Sequence, residues 1–169
     1  MPKCCQSPEE VDYEVELGIV IGKRCKNCSR EDALSHVLGY VVCNDVSARL
    51  WQQSRCGSQW CFGKSFDTFC PVGPCLATGR VDPSNLRVTT SLNGRVVQDS
   101  STSDLIFDVP AIIEHCSMGT TLAPGTLILT GTPEGVGMGK TPPEYLRHGD
   151  AVSVAVAGVG ACANDVVYE

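Results

Sequence analysis

The sequence predicts a β-dominated α+β domain, with about seven strands and three short helices in mixed order. Three stretches carry that expectation. Residues 12–22 alternate apolar and polar with period two. Residues 86–97 form a hairpin pattern around Asn93-Gly94, the dipeptide favoured by tight two-residue turns. Asp108-Val109-Pro110 opens a short helix with an acidic cap and proline in its first turn. A length of 169 residues suits one domain, large enough for a real core.

In the first stretch Tyr13, Val15, Leu17, Ile19 and Ile21 are apolar, and the even positions begin with Asp12, Glu14 and Glu16. Such alternation marks a half-buried strand. It sets Glu14 and Glu16 on one face, roughly 6.5–7 Å apart. Neighbouring carboxylates repel unless a cation lies between them or one takes up a proton; on a solvated edge the repulsion is weak. Asp45 closes a second apolar run, Leu38 to Cys43, and is a third acid able to converge there. Three carboxylates around one hole suit a hard cation, Mg²⁺, Mn²⁺ or Ca²⁺, rather than zinc. The plainer reading of Asp45 is a helix N-cap.

Next, Ser29-Arg30-Glu31-Asp32 has the pattern of a capping box and predicts a helix through Ala33, Leu34, Val37 and Leu38, ended by Gly39. Tyr40 to Cys43 is a more fully buried strand. Val46 to Gln53 reads as helical, which places Asp45, Arg49 and Gln52 near one face. That stripe fits a polar cleft and a solvated surface alike. Trp60 to Pro71 is aromatic-rich and strand-like, and Lys64 inside it needs an acidic partner, a ligand anion or a path to water. A strand over residues 126–130 opens into Gly131-Thr132-Pro133-Glu134-Gly135-Val136-Gly137. This loop lacks the Gly-Lys-Ser/Thr ending of a P-loop, but its N–H groups and threonines suit a carboxylate. Strands over 151–157 and 161–168 close the chain.

Apolar residues make up 43% and charged residues 19%, with a net charge of −6. No basic stripe is present to neutralise phosphates, so a nucleic-acid partner is not expected. No apolar run is long enough to span a membrane. Met1-Pro2-Lys3-Cys4-Cys5-Gln6 carries neither an apolar secretory core nor an Arg-rich presequence, so a cytoplasmic location is expected, and a mitochondrial one only for a longer form. The eleven cysteines are odd in number and scattered through apolar runs, as free thiols in a reducing compartment would be. Cys25-Lys26-Asn27-Cys28 has the spacing of a zinc knuckle or redox pair, but no second pair completes it, and it reads as a turn.

Four motifs occur in order: Tyr13-Glu14-Val15-Glu16-Leu17, Asn44-Asp45-Val46-Ser47-Ala48-Arg49, Gly63-Lys64-Ser65-Phe66-Asp67 and Leu129-Thr130-Gly131-Thr132-Pro133-Glu134-Gly135-Val136-Gly137. Together they resemble the C-terminal catalytic domain of the fumarylacetoacetate hydrolase family. Trp51-Gln52, Gln59-Trp60 and Phe66-Asp67-Thr68-Phe69-Cys70-Pro71 are similar to its domain-containing 2 subgroup. The likeness runs over residues 12–169, leaving 1–11 as a short N-terminal extension.

The resemblance implies a mixed β-roll or sandwich fold, and Mg²⁺ or Mn²⁺ held by Glu14, Glu16 and Asp45. It implies Lys64 and Gln52 as catalytic groups, with Arg49, Thr68 and Thr132 binding substrate. Family members cleave C–C bonds of acylpyruvates, decarboxylate oxaloacetate, or isomerise or tautomerise keto acids, usually as homodimers. The expected function is therefore metal-dependent hydrolase or lyase chemistry on such keto acids. The alternative is a truncated isoform that binds metal and dimerises without turnover. Family hydrolases carry a water-activating His and Glu upstream of the Glu-x-Glu strand, and His36, His115 and His148 do not match that motif. Decarboxylation or tautomerisation is expected to depend less on that pair.

Overall fold

The computed structural model describes residues 1–5, 10–79 and 81–169. Its strands are β1 (Val11–Asp12), β2 (Val15–Ile21), β3 (Val37–Asn44), β4 (Ser47–Ala48), β5 (Ala77–Thr78), β6 (Arg87–Leu92), β7 (Arg95–Ser101), β8 (Leu127–Leu129), β9 (Ala151–Val156) and β10 (Gly160–Asp165). One sheet has the order β5-β3-β2-β8, a second β10-β9-β6-β7, and β1 pairs with β4 in a short ribbon. Every pairing is antiparallel. Among the described residues the single α-helix, α1 (Val109–Ser117), packs Val109 and Ile113 into the core.

The odd residues of β2 explain this layering. Val15, Leu17, Ile19 and Ile21 pack with Tyr40 and Val42 against Val88, Val154 and Val156 of the facing sheet. Each such side chain, fully buried, contributes about 1.5–3 kcal/mol. Val11, Tyr13, Val46 and Ala48 form a second cluster with Leu92, Leu146, Val152, Val166 and Tyr168. The hairpin turns at Asn93 (φ 51°) and Gly94 (φ 80°), the pair of positive values that a right-twisted two-residue turn demands. Asp108 caps α1 by accepting from the Ala111 amide at 2.9 Å.

Four local expectations give way to tertiary pairing. The segment bearing Glu14 and Glu16 is buried on both sides: those residues are 7% and 4% exposed and Asp12 is 0% exposed. The helix expected from Ser29 onward shrinks to one 3₁₀ turn, Ala33–His36, because Val37 and Leu38 are drawn into β3, where Val37 pairs with Ile21. The Ser29–Asp32 cap contacts form all the same. Helical geometry after Asp45 is displaced to Arg49, since Ser47 and Ala48 pair with Asp12 and Val11; Asp45 is therefore no N-cap. The run from Trp60 to Pro71 is not a strand but turns around a 3₁₀ segment, Phe62–Lys64, with positive φ at Thr68 and Cys70.

Candidate active site

The chain leaves its ladders between β1 and β2, and Glu14 sits in that break. Its amide donates to Asn44 Oδ1 at 3.0 Å, and its carbonyl accepts from the Asp45 amide at 2.8 Å. The ends of β2 and β3 are thereby locked together, and Asp45 lies beside the Glu-x-Glu face. Glu14, Glu16 and Asp45 each present a carboxylate oxygen within 4.8 Å of the others, and no other group of three or more potential metal ligands gathers so closely among the described residues.

Two cations approach the cluster from chain segments after β4. Lys64 Nζ donates to Glu14 Oε2 at 2.9 Å, to Asp45 Oδ2 at 2.5 Å and to Ser47 Oγ at 2.8 Å. The turn holding Lys64 comes close because Gly63 lies on the backbone of Gln52; a Cβ at Gly63 would stand 2.7 Å from the Gln52 nitrogen. Arg49 is buried and turned inward. Its Nη2 lies 2.8 Å from Asp12 Oδ2 and 2.7 Å from Glu14 Oε1, as ionic contacts rather than well-directed hydrogen bonds. Its Nε donates to Asp12 Oδ2 at 2.9 Å and its Nη1 to Gln52 Oε1 at 2.9 Å.

The electrostatics define what the site can hold. Burial pushes the Glu16 carboxyl up to about 8, assisted by the nearby charges of Asp45 and Glu14 and opposed by the Gly131 amide that donates to it. Burial alone would pull the Lys64 ammonium down, but Glu14 and Asp45 outweigh it and hold it above its ordinary value. Arg49 is raised in the same way, its desolvation overcome by Glu14 and Asp12. Four carboxyls, Asp12, Glu14, Glu16 and Asp45, thus face two cations, so the fully ionised cluster is two positive charges short. All its free donor atoms are oxygens. A hard divalent cation fits both counts.

The loop from Gly131 to Met138 closes over this face and is held at three places. The Gly131 amide donates to Glu16 Oε2 at 2.6 Å. Gln98 Nε2 donates to Thr132 Oγ1 at 2.9 Å and to the carbonyls of Pro133 and Glu134. The amides of Gly137 and Met138 donate to the Asp12 carboxylate at 2.7 and 2.9 Å. Thr132 therefore lies beside the cluster, whereas Thr68 is exposed and lines a small cavity with Asn44, Pro71 and Leu146, without a hydrogen bond to the triad. Cys25 and Cys28 are buried free thiols, with Cys25 bridged to Leu122.

Sequence reasoning overlooked Asp12 and Gln98. Asp12 was visible as the first of three acids on one alternating face. Gln98, buried on β7, also accepts from the Val15 amide at 3.1 Å and Thr90 Oγ1 at 2.7 Å; only the hairpin register brings it to β2, and no local signal announces it.

The family described as fumarylacetoacetate (FAA) hydrolase C-terminal matches residues 1–167. The chain is 49% identical over 164 residues to "Oxaloacetate tautomerase fahd2, mitochondrial" of Xenopus laevis, covering 96% of this chain and 51% of that protein. It is 47% identical over 161 residues to "Oxaloacetate tautomerase FAHD2A, mitochondrial" of Homo sapiens, covering 94% and 51%. A fumarylacetoacetate hydrolase structure from Exiguobacterium antarcticum superposes with a TM-score of 0.92 at 42% identity, covering 95% of this chain and 58% of that one. The chain spans about half the length of the curated relatives it matches. It belongs to the fumarylacetoacetate hydrolase family, through that family's C-terminal domain.

Proposed function

We propose that this chain forms the cation- and keto-acid-binding part of an enzyme that interconverts the enol and keto forms of oxaloacetate or a closely related keto acid. The observation that carries the reading is the carboxylate triad, gathered within 4.8 Å, with the Lys64 ammonium against two of its members. The names of the relatives support this substrate class.

Glu14, Glu16 and Asp45 would hold the divalent ion, with Mg²⁺ first and Mn²⁺ or Ca²⁺ as alternatives. Once bound, it supplies Lewis acidity toward carbonyl and carboxylate oxygens of the substrate. The residues do the rest. Tautomerisation removes the enol hydroxyl proton, closes the C=O double bond and spends the C=C electron pair on a new C–H bond at the neighbouring carbon; no bond between heavy atoms is cleaved. Lys64, held cationic with its three N–H bonds on Glu14, Asp45 and Ser47, stabilises the enolate electrostatically; the carbon takes its proton from water and the hydroxyl proton returns to water. Gln52 offers a neutral donor to the oxygen on which charge develops. Thr132, whose oxygen accepts from Gln98 and whose hydroxyl hydrogen remains to donate, binds the far carboxylate. Arg49, fully engaged with Asp12, Glu14 and Gln52, acts on the substrate through them.

Hydrolytic C–C cleavage needs a base to activate water. His36 Nδ1 lies by the Lys23 carbonyl, His148 Nδ1 accepts from the Tyr168 amide, and His115 lines a cavity beside α1. With no described histidine at the triad, tautomerisation is the reading this part of the protein supports better. Ketonisation of enol-oxaloacetate, followed with Mg²⁺ and again with chelator, tests it: a Mg²⁺-dependent acceleration lost in Glu14→Gln supports the proposal. Tight Mg²⁺ binding with no acceleration would instead establish binding without turnover.

We further propose a homodimer, and a mitochondrial rather than cytoplasmic location. The location rests on the names of the relatives and is tested by organelle fractionation. Among the described residues no helix is long and apolar enough to cross a membrane.

A further inference from the structure

Asp12 is the most deeply buried acid of the cluster and has no place among the metal-holding carboxylates. Its Oδ1 accepts from the amides of Tyr13 (2.9 Å) and Gly137 (2.7 Å), and its Oδ2 from the Met138 amide and Arg49 Nε (both 2.9 Å). A buried arginine needs such a partner, because an uncompensated guanidinium in this environment costs several kcal/mol. With Nε and Nη2 fixed by Asp12, the planar guanidinium has one remaining direction for Nη1, and that points to Gln52 Oε1 at 2.9 Å.

This fixes a choice that a glutamine otherwise leaves open. A primary amide presents an acceptor on one side and donors on the other, and the two ends are nearly equal in shape. Arg49 cannot accept a hydrogen bond, so it can only face the carbonyl end. The Nε2 group, which donates to no described residue, is what Gln52 has left to offer a ligand. An oxygen carrying negative charge meets a donor there and never an acceptor.

We propose that Asp12 is a positioning residue: acting through Arg49, it holds the Gln52 amide with Nε2 available to the substrate oxygen that becomes the enolate. The role rests on the tautomerase reading for its substrate, but the orientation of the amide does not depend on that reading.

The test uses ¹⁵N-labelled protein and the Gln52 side-chain amide resonances, identified by their loss in Gln52→Leu. In the unmodified chain they stand apart from solvent-exposed glutamines and exchange slowly with water. In Asp12→Asn they move to the exposed-glutamine region and exchange at least tenfold faster. Should Asp12→Asn fail to fold, Arg49→Lys decides: its single ammonium keeps the pairing with Asp12 and Glu14 but cannot also hold Oε1, and the same collapse is expected. Unchanged Gln52 resonances in the folded variant overturn the proposal. Kinetics give an independent arm. Asp12→Asn lowers kcat at least tenfold with KM within threefold, and in a Gln52→Leu background it costs less than threefold more. Fully additive losses would assign Asp12 to holding the loop alone and overturn the proposal. Absence of turnover in the unmodified chain refutes the tautomerase reading, and the resonances alone then decide the role of Asp12.

Discussion

The amide of Gly131 donates to Oε2 of Glu16 at 2.6 Å, across 115 residues of chain. One hydrogen bond to a carboxylate ordinarily favours the ionised form. Here it is outweighed, because Glu16 lies deep beside two other acids and titrates near 8. The loop and the strand are therefore coupled through a group whose charge changes near neutrality.

That coupling predicts a pH dependence in chelator. Unfolded, Glu16 loses its proton near 4.5; folded, near 8. Between those values the folded chain holds the extra proton, so its stability falls as pH rises through the window. The ceiling is a few kcal/mol. Urea midpoints taken from pH 5.5 to 8 should decline, and Glu16→Gln should flatten the decline. A wild-type midpoint that rises relative to Glu16→Gln over this range contradicts the burial argument.

Asp45→Asn keeps the shape of the side chain and removes its charge. It removes the charge of one of the three proposed oxygen ligands and of a carboxylate 2.5 Å from Lys64 Nζ. Mg²⁺ affinity measured by calorimetry should fall at least tenfold, about 1.4 kcal/mol. Equal affinities in the variant and the parent would remove Asp45 from the ligand set.

Gln98→Ala should destabilise the fold by about 2–4 kcal/mol, since it strands the Val15 amide and the Thr90 hydroxyl inside the protein and leaves a cavity. It also frees Thr132, Pro133 and Glu134 from β7. Amide exchange at Thr132 and Glu134 should quicken by more than the global loss of stability explains. Exchange that tracks global stability alone would mean the loop is held elsewhere.

What the sequence made legible follows from how local each feature is. The hairpin at Asn93-Gly94 and the cap at Asp108 depend on a few adjacent residues, and both form where their patterns stand. Glu14 and Glu16 were readable as a pair because the alternation of residues 12–22 puts them on one side, although Glu14 itself lies in the break between β1 and β2. The helix expected over Val37 and Leu38 gave way to β3, which ladders against β2 from Val37 to Asn44, a long-range pairing that no local pattern reports. Lys64 had the right need for acidic partners but the wrong local geometry, since aromatic residues that favour strands serve here as a packed cluster of Trp51, Phe62, Phe66 and Phe69 around turns. Arg49 showed its chemistry but not its inward direction, which Asp12 sets from 37 residues away.

Ile106 is 91% exposed and Phe107 67% exposed, on a cleft that also includes Ile128 and the loop residues Thr132 to Glu134. Neighbouring large apolar side chains held in water are costly, and burial against another surface would recover about 1.5–3 kcal/mol for each. The homodimer proposal places this cleft in the interface, where the partner would brace the loop that contacts Glu16. Light scattering of the purified chain should then give twice the monomer mass, and Ile106→Ser with Phe107→Ser should shift it toward the monomer by at least tenfold in dissociation constant. The same double variant should quicken amide exchange at Thr132, with little change at the hairpin Asn93-Gly94. A chain that remains dimeric in this variant puts its interface on another face, and a chain that is monomeric from the start removes the dimer altogether.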